Sequence, residues 1–251
     1  YSCGARRYQK TTVGKREKRN LLSLKANQRK VVRMNILDRL NRKFGRFAIP
    51  NLMQYICVIY GIGFMIQVVA PEIYYYYMDL DPEAILHGHI WRIFTFLFYF
   101  PAGGGFSGVF WAIIGIMVYY NIGKTLEFLW GSFRYTFFIA SGIILYNVVG
   151  ILIYLFTGVS LQLNPTYMSF SIFLAYALSL PDTMFYIYFL FPIKAKYLAG
   201  IETALYFFFF LTSPSMGERV SILLSFANVL LFFLLQNQGN NKNIFHINRY
   251  R

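Results

Sequence analysis

Residues 135–181 read YTFFIASGIILYNVVGILIYLFTGVSLQLNPTYMSFSIFLAYALSLP, 47 consecutive positions without Asp, Glu, Lys or Arg. A helix needs roughly 20 apolar residues to cross the hydrocarbon of a bilayer, so the stretch reads as two spans. Residues 157–165, TGVSLQLNP, supply the turn between them through Gly158 and Pro165. Working outward, residues 47–71, 93–123 and 220–241 form further uncharged runs of 25, 31 and 22 residues. Residues 183–193 are too few to span, Lys194 and Lys196 follow, and a fifth span containing Glu202 fits at 197–212. The expected spans are therefore 50–70, 105–128, 133–157, 166–181, 197–212 and 219–236. The fold class is an all-α polytopic membrane protein.

Composition agrees: 57% of the 251 residues are hydrophobic and 14% charged, where soluble domains carry about 25% charged residues. The net charge of +14 is local, because residues 1–46 hold fifteen basic side chains against Glu17 and Asp38. An almost neutral apolar body with a basic N-terminal segment points to a lipid bilayer and not to nucleic acid. Residues 1–33 read as a basic disordered arm. Residues 34–47 read as an amphipathic interfacial helix, with Leu37, Leu40, Phe44 and Phe47 at helical spacing and Arg39, Arg42, Lys43 and Arg46 mostly opposite. Such a helix suits a surface of anionic lipids. Residues 48–236 form the transmembrane domain and 237–251 a tail. The chain opens with Tyr1, and Met34 is the expected native start, a point that intact mass decides.

Placing the N-terminus in the cytoplasm puts 22 basic residues inside and leaves Arg92 and Arg219 outside. This bias favours six spans with both termini cytoplasmic. The first outside loop, residues 71–104, holds Tyr74, Tyr75, Tyr76, Tyr77 and Trp91, side chains suited to the headgroup layer, and is expected to lie flat in the membrane.

Candidate chemistry is sparse. Cys3 and Cys57 are too few for a disulfide framework or a cysteine-rich metal site. His87 and His89 lie in the first loop and His246 in the tail, so no histidine falls within a span. The His87-Gly88-His89 pair lacks a third ligand in a fixed motif, so no metal is expected. No cofactor fingerprint occurs, and none is expected to bind. Ser169, Ser171, Ser221 and Ser225 fall in spans, where hydroxyls commonly bond a carbonyl or a neighbouring helix. Glu202 is the one carboxylate within an expected span and so a functional candidate; pairing with Lys196 near the interface would give it a structural role.

Two motifs go further. Residues 90–98 read Ile-Trp-Arg-Ile-Phe-Thr-Phe-Leu-Phe, and 121–134 read Asn-Ile-Gly-Lys-Thr-Leu-Glu-Phe-Leu-Trp-Gly-Ser-Phe-Arg. The first resembles the Trp-Arg loop motif of the rhomboid superfamily. The second resembles that family's corner between the second and third helices. The resemblance extends over about residues 47–236 and implies a six-helix rhomboid-like bundle with a membrane-embedded first loop. It implies scaffold roles for Trp91, Arg92, Gly123, Glu127, Gly131, Ser132 and Arg134. Arg92 would hold loop carbonyls that lack partners, and Glu127 would satisfy N–H groups where the next helix starts.

The family's catalytic parts do not carry over. Its nucleophilic serine, set in Gly-x-Ser-Gly, falls near Thr166 in Leu163-Asn164-Pro165-Thr166-Tyr167-Met168, where both glycines are missing. The sixth span has no histidine, and a hydroxyl without its base loses several orders of magnitude in rate. The resemblance thus implies a pseudoprotease. Like inactive rhomboids and derlins, it would bind transmembrane segments of client proteins, in a groove between the second and fifth spans. The alternative is an intramembrane serine protease using Thr166 or Ser169. A small-solute transporter is disfavoured by the scarcity of ionisable groups in the spans and the absence of an inverted repeat. The short core suggests a bacterial plasma membrane.

Overall fold

The computed structural model describes residues 36–100, 105–187 and 191–237. The arm at 1–33, Cys3, Met34, His246 and the tail beyond residue 237 lie outside the described residues. Seven longer helices are α1 (Ile36–Phe44), α2 (Leu52–Val69), α3 (Gly105–Trp130), α4 (Ser132–Thr157), α5 (Thr166–Ser179), α6 (Ala195–Thr212) and α7 (Met216–Asn237). Four of them, α2, α3, α4 and α7, are long and apolar enough to cross a membrane. α5 is a shorter apolar helix of 14 residues, and α6 carries Lys196 and Glu202 within its 18.

α5 lies at the centre. It packs on α3, α6 and α7, while α2 pairs with α3 and α4 with both α3 and α7. Its buried side chains include Tyr167, Met168, Phe170, Ile172, Ala175 and Tyr176. Helices in lipid gain little from apolar burial alone, so close packing and interhelical hydrogen bonds set the arrangement. Gly123 shows the close packing: a Cβ there would overlap the side chain of Met53 on α2.

The chain is not wholly helical. Met184–Ile187 (β1) and Phe191–Lys194 (β2) pair antiparallel, with Met184 opposite Lys194. This segment is too short to span, and pairing satisfies its backbone groups without a helix. Phe185 anchors the hairpin against the rings of Phe173 and Tyr176 on α5. α6 begins at Ala195 immediately after it, and the Ala195 N–H donates to the Thr183 carbonyl at 2.8 Å.

α1 covers Ile36–Phe44 and passes into a 3-10 turn at Gly45–Phe47. Its Leu37 is fully buried, whereas Arg39, Arg42 and Lys43 are exposed. Asp38 fixes it to the bundle through an ion pair with Arg134 of α4 at 2.7 Å.

Candidate functional site

The first loop is a chain of short helical pieces, of which Tyr74–Met78 is a π-type turn and Arg92–Thr95 a single α-turn. Where the π-turn ends, four successive carbonyls leave the helical ladder and need donors. Arg92 and Thr95 on the short helix at 92–95, with Trp91 just before it, supply them. Trp91 Nε1 donates to the Tyr77 carbonyl at 3.0 Å, Thr95 Oγ1 to Met78 at 3.1 Å and Arg92 to Asp79 at 2.9 Å. Arg92 also donates to the Tyr76 carbonyl. The Trp-Arg motif, completed by Thr95, is thus a clamp on irregular backbone. Arg92 is buried, 6% exposed. From the bundle, Gln67 Nε2 donates to the Phe98 carbonyl at 3.3 Å and Asn147 Nδ2 to Ile93 at 3.2 Å.

At the opposite end of the bundle, Gly131 alone separates α3 from α4, at φ 83°, a backbone conformation that favours glycine. Glu127 accepts from the Asn51 N–H at 2.7 Å and from Ser132 Oγ at 2.8 Å. Its carboxylate therefore serves the start of α2, not the backbone N–H groups that open α4. The reason is tertiary: Asn51 enters α2 in a left-handed conformation at φ 56°, presenting its N–H to the corner.

Between the first loop, the α4–α5 turn and the start of α7 lies a polar recess of about 260 Å³. Tyr74, Asp79, Tyr99, Asn164, Pro165 and Glu218 line it. A neighbouring recess of about 300 Å³ shares Tyr75, Asp79 and Gln162 with it and adds Asp81 and Arg92. Asp81 ties the two loops together by accepting from Ser160 Oγ at 2.7 Å. Burial lifts the Asp79 carboxyl from its ordinary 3.8 to about 6, against the Leu80 N–H and the Arg92 charge, which lower it.

Thr166 opens α5 beside this recess, its N–H held by Asn164 Oδ1 at 2.9 Å. Ser169, one turn deeper and buried, has its Oγ 3.3 Å from the Tyr60 hydroxyl on α2. Ser171 donates to the Met168 carbonyl at 2.7 Å, Ser221 to Gly217 at 2.8 Å and Ser225 to Ile222 at 2.8 Å. Ser221 Oγ also accepts from the Asn164 N–H at 2.9 Å, fixing α7 to the turn before α5. His87 bonds the Glu83 carbonyl at 2.8 Å through Nδ1, and the His89 ring lies against Trp91. Among the described residues, no three His, Cys, Asp or Glu side chains converge as a metal-ligand set.

Glu202 does not pair with Lys196. Asp182, exposed in the turn that leads into β1, takes both Lys196 at 3.1 Å and Lys194 at 3.4 Å, and their hydrogen bonds hold its carboxyl below the usual carboxylate range. Glu202 instead shares a hydrogen bond with Tyr206, one turn along α6. The interhelical bonds of Tyr60, Tyr146 and Asn228 also escaped sequence reasoning. Tyr146 donates to the Ser221 carbonyl at 2.9 Å, and Ser141 donates to Asn228 Oδ1 at 2.8 Å. Their signal is present in the sequence as polar side chains inside apolar runs, but the partners are not.

Helix content and long apolar spans define an integral membrane protein. Residues 52–235 match the model of the family described as "Eukaryotic integral membrane protein (DUF1751)", and the chain belongs to that family. A comparison with curated proteins finds no match. A family described as eukaryotic sits poorly with a bacterial plasma membrane, which the short six-span core had suggested.

Proposed function

We propose that the chain is a rhomboid-like protein of a eukaryotic membrane that binds transmembrane segments of client proteins and does not cut them. It has six membrane-crossing segments, both termini in the cytoplasm, and a basic N-terminal segment lying on anionic lipid. The observation that carries this reading is the environment of Ser169, the buried hydroxyl one turn into α5 from Thr166, the position matching the family's nucleophile. Ser169 is buried against the Tyr60 hydroxyl, while His87 and His89 are engaged within the first loop. A tyrosine hydroxyl neither removes the serine proton at neutral pH nor orients it toward a carbonyl as an imidazole does. The Trp91–Arg92–Thr95 clamp and the Glu127 corner serve the scaffold, and a scaffold can outlast the chemistry it once held.

The alternative is an intramembrane serine protease using Thr166 or Ser169, and one experiment separates the two. The full chain, reconstituted in vesicles with a tethered model transmembrane peptide, is treated with a fluorophosphonate probe and compared with the Thr166→Ala/Ser169→Ala double variant. The binding reading expects intact peptide retained by the protein and labelling equal in both. Peptide cleavage or probe labelling that the double variant abolishes would overturn it.

A further inference from the structure

Resting on the proposed binding of client helices, we infer that Glu202 is a recognition point for a single basic side chain at mid-depth in the bound transmembrane segment. Glu202 is the eighth of the 18 residues of α6, roughly 10 Å of helix from its start and so near its middle. It stands on the border between two faces of that helix. Ala195 and Ala199, two turns and one turn before it, are buried. Leu205 and Phe209, three and seven residues after it, are 51% and 46% exposed. Glu202 itself is intermediate in exposure and therefore reachable from the open side.

Its surroundings are polar but uncharged. Tyr206 shares a hydrogen bond with it, and Tyr119 of α3 lies near enough to feel its charge. Among the described residues the ion pairs are Arg134 with Asp38 and Lys194 and Lys196 with Asp182, so no cation lies within ion-pair distance of Glu202. α3 and α6 both pack on α5, and Tyr119 makes α3 the neighbouring helix that Glu202 meets.

A carboxylate at mid-membrane is costly, and so is a lysine or arginine on a lone helix. Bringing the two together at the same depth relieves both costs at once. An apolar helix relieves neither. The charge of Glu202 therefore selects among client helices by the presence and depth of a basic residue, while the exposed apolar residues of α6 supply contact that any helix can use.

The test uses the full chain in nanodiscs and three Leu/Ala model transmembrane peptides, alike except for a central Lys, Leu or Glu, with binding read by fluorescence transfer. The expected order is Lys above Leu above Glu, with the Lys peptide about tenfold tighter than the Leu peptide, a difference of about 1.4 kcal/mol. Glu202→Gln should bring the Lys peptide to the Leu level, and Glu202→Lys should reverse the preference toward the Glu peptide. The order among the three peptides on the unaltered chain needs no variant to fold. Equal binding of Lys and Leu peptides, or a Lys preference that survives Glu202→Gln, would overturn the assignment and leave helix binding standing. Failure of all three peptides to bind would remove both.

Discussion

α5 and α6 are equally apolar on average, yet they sit in the molecule in opposite ways. Nine of the 14 residues of α5 are buried, and its Ser169 hydroxyl meets the Tyr60 hydroxyl of α2. Of the 18 residues of α6, Ala195 and Ala199 are buried, and Tyr197, Ile201, Leu205, Phe207, Phe208, Phe209 and Leu211 are exposed. Hydropathy alone does not separate a helix that faces protein from one that faces lipid or a partner, because lipid tails are as apolar as leucine. Polar groups do separate them. Where a hydroxyl has a fixed partner on a neighbouring helix, the helix belongs to the scaffold. Where a carboxylate is left with a tyrosine on its own helix, that face has an unmet requirement.

The contrast can be broken most severely at the scaffold. Arg92→Ala removes the donors to the Asp79 and Tyr76 carbonyls, and each buried orphan costs about 1–3 kcal/mol. Thermal unfolding in detergent should show a loss of several kcal/mol, with partial recovery in Arg92→Lys; an unchanged midpoint would mean the loop does not depend on the clamp. The next effect is pH-dependent. Asp79 titrates near 6 in the fold against an ordinary 3.8, so folding favours its protonated form. That contribution is complete below about pH 4 and is lost as pH rises through 6. Asp79→Asn keeps the acceptor for the Leu80 N–H and should exceed the parent in stability by about 3 kcal/mol at pH 8, with little difference at pH 4. Stability curves at the two pH values check this.

A smaller loss belongs to the seam between α5 and α7. Ser221→Ala leaves the Asn164 N–H without its acceptor and should cost about 1 kcal/mol in the same unfolding assay. Least of all, Phe208→Ala on the open face of α6 (Phe208 is 58% exposed) should shift stability by less than about 0.5 kcal/mol. It should nevertheless weaken retention of a model transmembrane peptide. A large stability loss there would mean α6 is built into the scaffold as firmly as α5.

The helices were largely legible in the sequence. Long runs without charge place α2, α3, α4 and α7, and the Gly158 and Pro165 turn separates α4 from α5. The hairpin at 184–194 was not legible, since an 11-residue apolar run between Pro181 and Lys194 fits a short interfacial helix as well as two paired strands. The carbonyls that Arg92 would hold were foreseeable in kind, because only a many-donor side chain suits irregular backbone in a membrane. The choice of Asn51 as the partner of Glu127 was not, because it depends on how α2 enters the bundle 76 positions earlier. The pairing of Lys196 with Asp182 and not with Glu202 is of the same kind: the hairpin brings Asp182 back to the start of α6.

The difference between an open binding face and a lipid-facing one is read most directly by site-specific photo-crosslinking in native membranes. A photoreactive residue is placed at Ile201, Leu205 or Phe208 on α6, and for comparison at Leu223, Leu230 or Leu234 on α7, all of them exposed. Discrete membrane-protein adducts from α6 with lipid adducts from α7 are the predicted result. Lipid adducts alone from both helices would contradict it.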